Sequence, residues 1–447
     1  MKKLLFSLVA LPLSMFAQKT VKLITLDPGH FHAALIQKSM YPQVDPTVHV
    51  YAEEGRDLRL HMERIDGYNK RNATPTSWKE EVYTGKDFFE KMIAEKKGNV
   101  VVLAGNNRLK TDYILSSIKN GFHVFADKPM AIDSKGFQKL KTAFSVAQKS
   151  GLQLYDIMTE RNEITTMLQR AFSMESDLFG KLEKGTPEDP SVTKISVHHF
   201  YKYVSGSVLT RPSWFFDDKQ QGAGIVDVTT HLVDLIQWEC FPEQIINYKN
   251  NVKILNAKSW STPVSVKDFT AVTKEPVPSY LEPIRDASDN LQVNCNGEFT
   301  YVINGVHAKV SVIWNYKAPE GTGDTHYSLM RGTNASLIIR QGKEEQFKPT
   351  LYIEQRSKDA DFEQKLRAAV ARVESKFPGI GLAKVANGWT ITVPEKYNNG
   401  HEAHFAQVTE KYLDYLQNNS MPSWEVPNML AKYYTTTKAK EVAEKTK

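Results

Sequence analysis

The chain has 447 residues, 41% hydrophobic and 24% charged, which suits two domains with sizeable cores in an ordinary globular protein. Its net charge is +6, or +4 once Lys2 and Lys3 are discounted with the N-terminal segment (+6 minus 2), too mild and too evenly spread for a nucleic-acid binder. Cys240 and Cys295 are the only cysteines, so a disulfide framework is excluded, and their apolar or strand-like surroundings mark them as buried free thiols.

Met1-Lys2-Lys3, an apolar run from Leu4 to Phe16, and Ala17-Gln18 have the order of a signal peptide over 1–18, with Met15 where a small residue is the norm. The run is too short for a permanent membrane span, and no cysteine follows it to carry a lipid. Export to the periplasm or beyond is therefore expected, and no membrane span.

Residues 19–158 alternate short apolar runs with amphipathic stretches. Strands are predicted at 21–26, 48–52, 100–104, 123–126 and 152–155, and helices at 31–38, 88–95, 111–120 and 137–150. Gly121 and Gly151 close the last two helices. A βαβ series of this kind predicts a Rossmann domain with a doubly wound parallel sheet. From 159 to 447 the rhythm changes. Alternating segments at 192–200, 294–303, 308–314 and 335–339 predict an open, mainly antiparallel sheet, with helices at 163–172 and 225–240 among the strands. This is a C-terminal α+β domain for substrate binding and oligomerisation, closed by helices at 403–417 and 426–443. The lysine- and glutamate-rich stretch 343–397, with a helix at 361–377, reads as an inserted module.

A dinucleotide fold expects G-x-G-x-x-G at its first strand-to-helix turn, for the tight bend and for close approach to the pyrophosphate. Here the turn is Asp27-Pro-Gly29-His30-Phe31-His32, with only the middle glycine retained. Glu53, just past the second strand, stands where a carboxylate would hold the ribose hydroxyls and repel a 2′-phosphate, favouring NAD over NADP. A doubly wound domain that no longer binds dinucleotide is the alternative.

Three further segments carry the chemistry. Val101-Val-Leu-Ala-Gly-Asn106-Asn107 ends the strand predicted at 100–104. Gly121-Phe-His-Val-Phe-Ala-Asp127-Lys128-Pro129 ends the next one. Gly222-Ala-Gly-Ile-Val-Asp227-Val-Thr-Thr-His231-Leu-Val-Asp234 is a glycine-rich turn opening a helix. Together they resemble the glucose–fructose oxidoreductase / inositol dehydrogenase / rhizopine-catabolism (Gfo/Idh/MocA) family, with Asp127 for its usual Glu and Ala223 interrupting the glycines. The resemblance covers nearly the whole mature chain except 343–397, and the C-terminal part is similar to an exported variant.

The resemblance implies a nicotinamide-dependent oxidoreductase with roles by position. His231 would be the general base, its ordinary pKa near 6.5 suiting that work. Asp227, at i−4 on the same helical face, would bind a neighbouring hydroxyl or orient the imidazole. Lys128 would hydrogen-bond the reacting oxygen and stabilise developing charge. Gly29, His30, Phe31, Glu53, Asn106, Asn107 and Lys128 would bind the cofactor. Arg161, Lys202, Arg211 and Trp214 have the chemistry of a sugar site. The plainer alternatives are a surface lysine at 128 and a helix-stabilising pair at 227 and 231.

No metal is expected. His401 and His404 are three apart rather than the four of a zincin helix, and adjacent His198 and His199 in a strand point to opposite faces. His401 and His404 are expected at the substrate cleft or a helix start, and the loop Gly321-Thr-Gly-Asp324-Thr-His326 over the site.

The function predicted is oxidation at a hydroxyl of a sugar, polyol or glycoside, with a tightly bound NAD because free NAD is scarce outside the cytoplasm. The alternatives are an NAD-dependent glycosidase or lyase using transient oxidation, and a non-catalytic carbohydrate-binding protein on the same fold. A homodimer or homotetramer is expected, built on the second domain's sheet.

Overall fold

A computed structural model describes residues 20–204, 207–320 and 322–446. The expected signal peptide, 1–18, lies outside the described residues. The first half is a parallel sheet in the order β3-β2-β1-β4-β5-β6. Its strands are β1 (Leu23–Leu26), β2 (Thr47–Tyr51), β3 (Lys79–Tyr83), β4 (Val100–Leu103), β5 (His123–Asp127) and β6 (Leu154–Ile157). The helices between them are α1 (His32–Leu35), α2 (Arg56–Lys70), α3 (Phe88–Glu95), α4 (Lys110–Lys119) and α5 (Ser134–Lys149). This is the doubly wound sheet the alternation predicts.

The four residues of β4 are all buried, as a central parallel strand covered on both faces requires. β3 escaped the sequence reading because Lys-Glu-Glu-Val-Tyr is a polar edge strand with no apolar run. α5 starts three residues earlier than expected, because Asp133 caps it by accepting the Gly136 N–H at 2.7 Å.

The second half holds α6 (Ile164–Ser173), α7 (Ser176–Phe179), β7 (Val192–Tyr201), the short hairpin β8 (Tyr203–Val204) and β9 (Ser207–Val208), α8 (Thr229–Cys240) and α9 (Tyr248–Asn251). Then come β10 (Val252–Ser265), α10 (Val266–Thr273), β11 (Asn290–Ile303), β12 (Val306–Lys317), β13 (Thr325–Arg331), β14 (Ala335–Arg340), β15 (Thr350–Gln355), α11 (Phe362–Glu374), β16 (Gly381–Val385) and β17 (Gly388–Thr392). The long helices α12 (Gly400–Asn418) and α13 (Glu425–Lys445) finish the chain.

Nine of these strands form one open sheet, β10-β11-β12-β7-β13-β14-β15-β17-β16. It is antiparallel except at β7 and β12, which run parallel. The stretch 343–397 is not set apart as a module: β15, β17 and β16 extend this sheet, and Phe362, Leu366 and Trp389 share its core.

The closing helices return to the first domain. Phe405, Val408, Tyr412, Met429 and Tyr433 pack into the Rossmann core, with Tyr412 stacked on Phe125 at 4.4 Å. No helix among the described residues is long and apolar enough to cross a membrane.

Candidate active site

β5 ends at Asp127, so Lys128 leaves the sheet at its C-terminal edge, where doubly wound folds keep their ligands. Its ammonium meets Asp227 Oδ1 at 2.6 Å, with the two side chains 11% and 6% exposed. Asp227 is delivered by the turn 222–228. A Cβ on Gly224 would meet the Cys295 carbonyl oxygen at 1.7 Å, so only glycine lets this turn close on β11. α8 begins two residues after Asp227, so Asp227 lies in the turn and not on the helix face with His231. Its carboxylate serves Lys128 instead of the imidazole. His231 stands in the first turn of α8, and burial holds its imidazole neutral, well below the usual histidine range, aided by the Lys128 charge. Its Nδ1 is buried without a hydrogen-bond partner among the described residues.

These three residues line a cavity of about 1350 Å³, together with Asn107, Trp214 and Lys202. Lys202 donates to Asp324 Oδ2 at 2.7 Å, and the same carboxylate takes His198 and His199 Nδ1 at 3.2 Å each. Burial works to raise the Asp324 carboxyl, but the hydrogen bonds from His198 and His199 and the Lys202 charge outweigh it and hold it well below the usual range. On another wall, burial and then Glu163 push the Glu160 carboxyl up to about 7. His401 and His326 line the cavity as expected from sequence; buried His404 is not among the lining residues.

The cofactor side is the gap between β1 and β4, the point where the strand order reverses. A Cβ at Gly105 would meet the Asp27 carbonyl oxygen at 2.1 Å, so glycine is required for the two strand exits to close together. Glu53 is exposed at the exit of β2. Topology, Glu53 and the Lys128–Asn107 wall fit a nicotinamide dinucleotide. The turn between differs from the standard one. The Gly29 and His30 N–H groups both donate to the Ala104 carbonyl, at 3.3 and 3.0 Å, and α1 has only four residues. Asp27 takes a left-handed φ of 48°, where the first glycine would stand. Burial, then Asp57 and Glu53, raise its carboxyl to about 6, against the opposing charge of Arg108.

A segment of the second domain crosses this turn. Trp214 covers Gly29 and donates from Nε1 to Asp57 Oδ2 at 2.8 Å. The Asn107 N–H donates to Gln220 O at 3.0 Å, Asn107 Nδ2 to Gln221 O at 2.7 Å, and Asn106 Nδ2 to Gln220 Oε1 at 2.8 Å.

Several expected site residues lie elsewhere. Arg161 is not a cavity residue: it is buried between Asp234 (2.6 and 2.7 Å) and Glu425 (3.0 and 3.1 Å). Lys432 extends that network to Asp156 and Asp234, tying β6, α8 and α13 together. Arg211 is also spent on structure, donating to the Phe200 and His199 carbonyls over the Phe215 and Trp314 rings. Gly29, Glu53 and Asn106 do not line the cavity, Gly29 because Trp214 covers it and Asn106 because Gln220 takes its amide; His30, Phe31 and Asn107 do. The sequence reading missed Glu160, Asp127 and Lys110. Lys110 is buried beneath Asn107, with its ammonium on Asn107 Oδ1 and the Asp127 carbonyl, and burial lowers its pKa to about 8. No spacing signals such a group, since the partners come from separate strand exits.

Comparison with known proteins agrees with this geometry. Residues 168–444 match the family model described as "Putative oxidoreductase C terminal domain", and residues 58–155 match "Oxidoreductase family, NAD-binding Rossmann fold". A crystal structure of a "putative oxidoreductase" from Parabacteroides merdae is 53% identical, with 96% of this chain and 99% of that one covered and a TM-score of 0.94. The chain belongs to the Gfo/Idh/MocA oxidoreductase family. A levoglucosan dehydrogenase in complex with NADH and levoglucosan shares the fold at 14% identity, covering 96% and 98% of the two chains, with a TM-score of 0.59. So does an Erwinia carotovora "putative oxidoreductase" at 11% identity, covering 95% and 99%, with a TM-score of 0.61. No curated protein matches. The Gfo/Idh/MocA match to the nucleotide-binding half begins at residue 58, downstream of the 27–32 turn. The part of the chain that departs most from a standard dinucleotide fold is thus also outside the matched span.

Proposed function

We propose that this oxidoreductase acts on a hydroxyl of a sugar, polyol or glycoside, using NAD that stays bound and is reoxidised within the site by passing its hydride to the carbonyl of a second sugar or back to the same one. One observation carries the reading: the Lys128–Asp227 pair at 2.6 Å shares a cavity with a half-buried, neutral His231 whose Nδ1 has no hydrogen-bond partner among the described residues. A bound nicotinamide would supply the hydride acceptor, and each other element of the reaction falls to the chain. His231, whose ring lines the cavity, takes the hydroxyl proton on its imidazole. Lys128 donates to the same oxygen and stabilises its charge, while Asp227 fixes the ammonium in place. Lys202, His198 and Asp324 offer donors and acceptors suited to further hydroxyls, and Trp214 and Trp314 offer aromatic faces. The levoglucosan dehydrogenase among the fold neighbours is in keeping with a carbohydrate substrate.

The exposed Glu53 at the ribose end favours NAD over NADP. The Trp214 segment laid across the nucleotide turn is consistent with slow cofactor exchange, as an exported protein would need. An assembly through the open sheet is the natural oligomer, because half-exposed Ile195, Val197, Ile313 and Leu329 share its outer face. A second reading, transient oxidation that permits glycoside cleavage, is favoured by Glu160, whose carboxyl near 7 adds an acid–base group that simple oxidation does not need.

The test is to denature purified protein and measure released nicotinamide by mass spectrometry. About one NAD per chain is expected, with His231→Ala retaining it and losing hydride transfer to a sugar panel. No bound cofactor together with no saturable NAD or NADP binding would refute the reading. Full turnover in His231→Ala would remove the base assignment.

A further inference from the structure

The two histidines of the nucleotide turn take no part in the proton and hydride transfers proposed above. His30 and His32 project from the turn onto the end of β5. His32 Nδ1 lies 2.9 Å from Asp127 Oδ2, and His30 Nδ1 lies 3.6 Å from the same oxygen. One donor atom from each of the three lies within 4.8 Å of the others. A tetrahedral ion with bonds of about 2.05 Å separates its ligand atoms by about 3.3 Å, so the 2.9 and 3.6 Å distances bracket that value.

We propose that His30, His32 and Asp127 form a three-ligand site for a divalent transition-metal ion of the zinc class, open to the cavity. His30 Nδ1 is buried with no hydrogen-bond partner among the described residues, an orphan that a metal bond would satisfy. The rings are held in place: His30 and His32 pack edge to face at 4.0 Å, and Phe405 lies 4.6 Å from His32. Asp127 Oδ1 accepts the Lys128 N–H at 2.9 Å, the kind of outer contact that orients a ligating carboxylate, and Oδ2 is the oxygen turned to the histidines.

Charge also permits it. Of the cations nearby, Lys128 is paired with Asp227 at 2.6 Å and Lys202 with Asp324 at 2.7 Å, while Lys110 is held by Asn107 and Arg211 by the Phe200 and His199 carbonyls. Two imidazoles and one carboxylate select a borderline ion over calcium or magnesium. All three residues line the cavity, so the remaining coordination position faces it and would hold water or an oxygen of the bound small molecule. The packing of a doubly wound domain does not need His32, since the third fingerprint position of this turn is ordinarily glycine.

The site is tested without added dinucleotide or substrate, so its failure and that of the proposed reaction are separable. Full-length protein is stripped with chelator and titrated with Zn²⁺ and Co²⁺ by calorimetry, with the visible absorption of bound Co²⁺ followed. One ion per chain is expected, with Zn²⁺ bleaching the Co²⁺ bands and raising the melting temperature. His30→Ala and His32→Ala should lose the ion, and His198→Ala should keep it. Asp127→Asn preserves the shape and the Lys128 contact, and should lose the Zn²⁺-dependent rise in melting temperature even where a histidine variant fails to fold. Absence of stoichiometric uptake, or uptake and thermal shift unchanged in Asp127→Asn, would overturn the proposal in favour of a plain His32–Asp127 hydrogen bond.

Discussion

Replacing Asp27 by asparagine should stabilise the protein at neutral pH and tighten its hold on a dinucleotide. Asp27 stands at the cofactor turn with its carboxyl raised from the ordinary 3.8 to about 6, chiefly by burial and then by Asp57 and Glu53. An acid whose folded pKa lies above its unfolded one is stabilising only while protonated. Its contribution is therefore fullest below about pH 4, is lost as pH rises through about 6, and is flat beyond. The difference of about two pH units, at about 1.4 kcal/mol each, gives a penalty of about 3 kcal/mol at pH 7.5. Asparagine keeps the shape, removes the charge and tolerates the left-handed φ of 48° better than most residues. Denaturant unfolding of both proteins at pH 4 and pH 7.5 measures this. The variant should gain up to about 3 kcal/mol at pH 7.5 and little at pH 4. Equilibrium dialysis should show tighter NAD binding, because one fewer anion stands at the nucleotide turn. The same pH dependence in both proteins, or a variant weaker at pH 7.5, would refute the reasoning.

Arg161→Met should cost about 3–5 kcal/mol in thermal or chemical unfolding, since it leaves Glu425 and Asp234 buried with one fewer cation. Steady-state kinetics of the folded variant should show KM unchanged, as Arg161 does not reach the cavity. Trp214→Phe removes the donor to Asp57 at 2.8 Å, and should speed cofactor release in a fluorescence displacement assay; an unchanged rate would mean that the segment does not retain cofactor. Gly105→Ala drives a methyl group into the Asp27 carbonyl, and should cost about 1–3 kcal/mol with loss of dinucleotide binding by dialysis.

The sequence by itself determined the class of the first domain and the candidates for the reacting side chains. Period and length are local properties, so an apolar run such as Val100–Leu103 declares a buried parallel strand wherever the chain is read. The Lys128-Pro129 and Asp227…His231 segments announced themselves in the same way, by short fixed spacings. Tertiary structure alone decided what each of these residues touches. It gave Asp227 to Lys128 rather than to His231, and took Arg161 and Arg211 away from the cavity. It brought Asp127 beside His30 and His32, and completed the Rossmann core with α12 and α13 from the far end of the chain. The reason is physical: a side chain's partner is chosen by burial and charge balance among residues that can lie far apart, 73 positions for Arg161 and Asp234 and 277 for Tyr433 and Asp156, and neither quantity is written in local spacing.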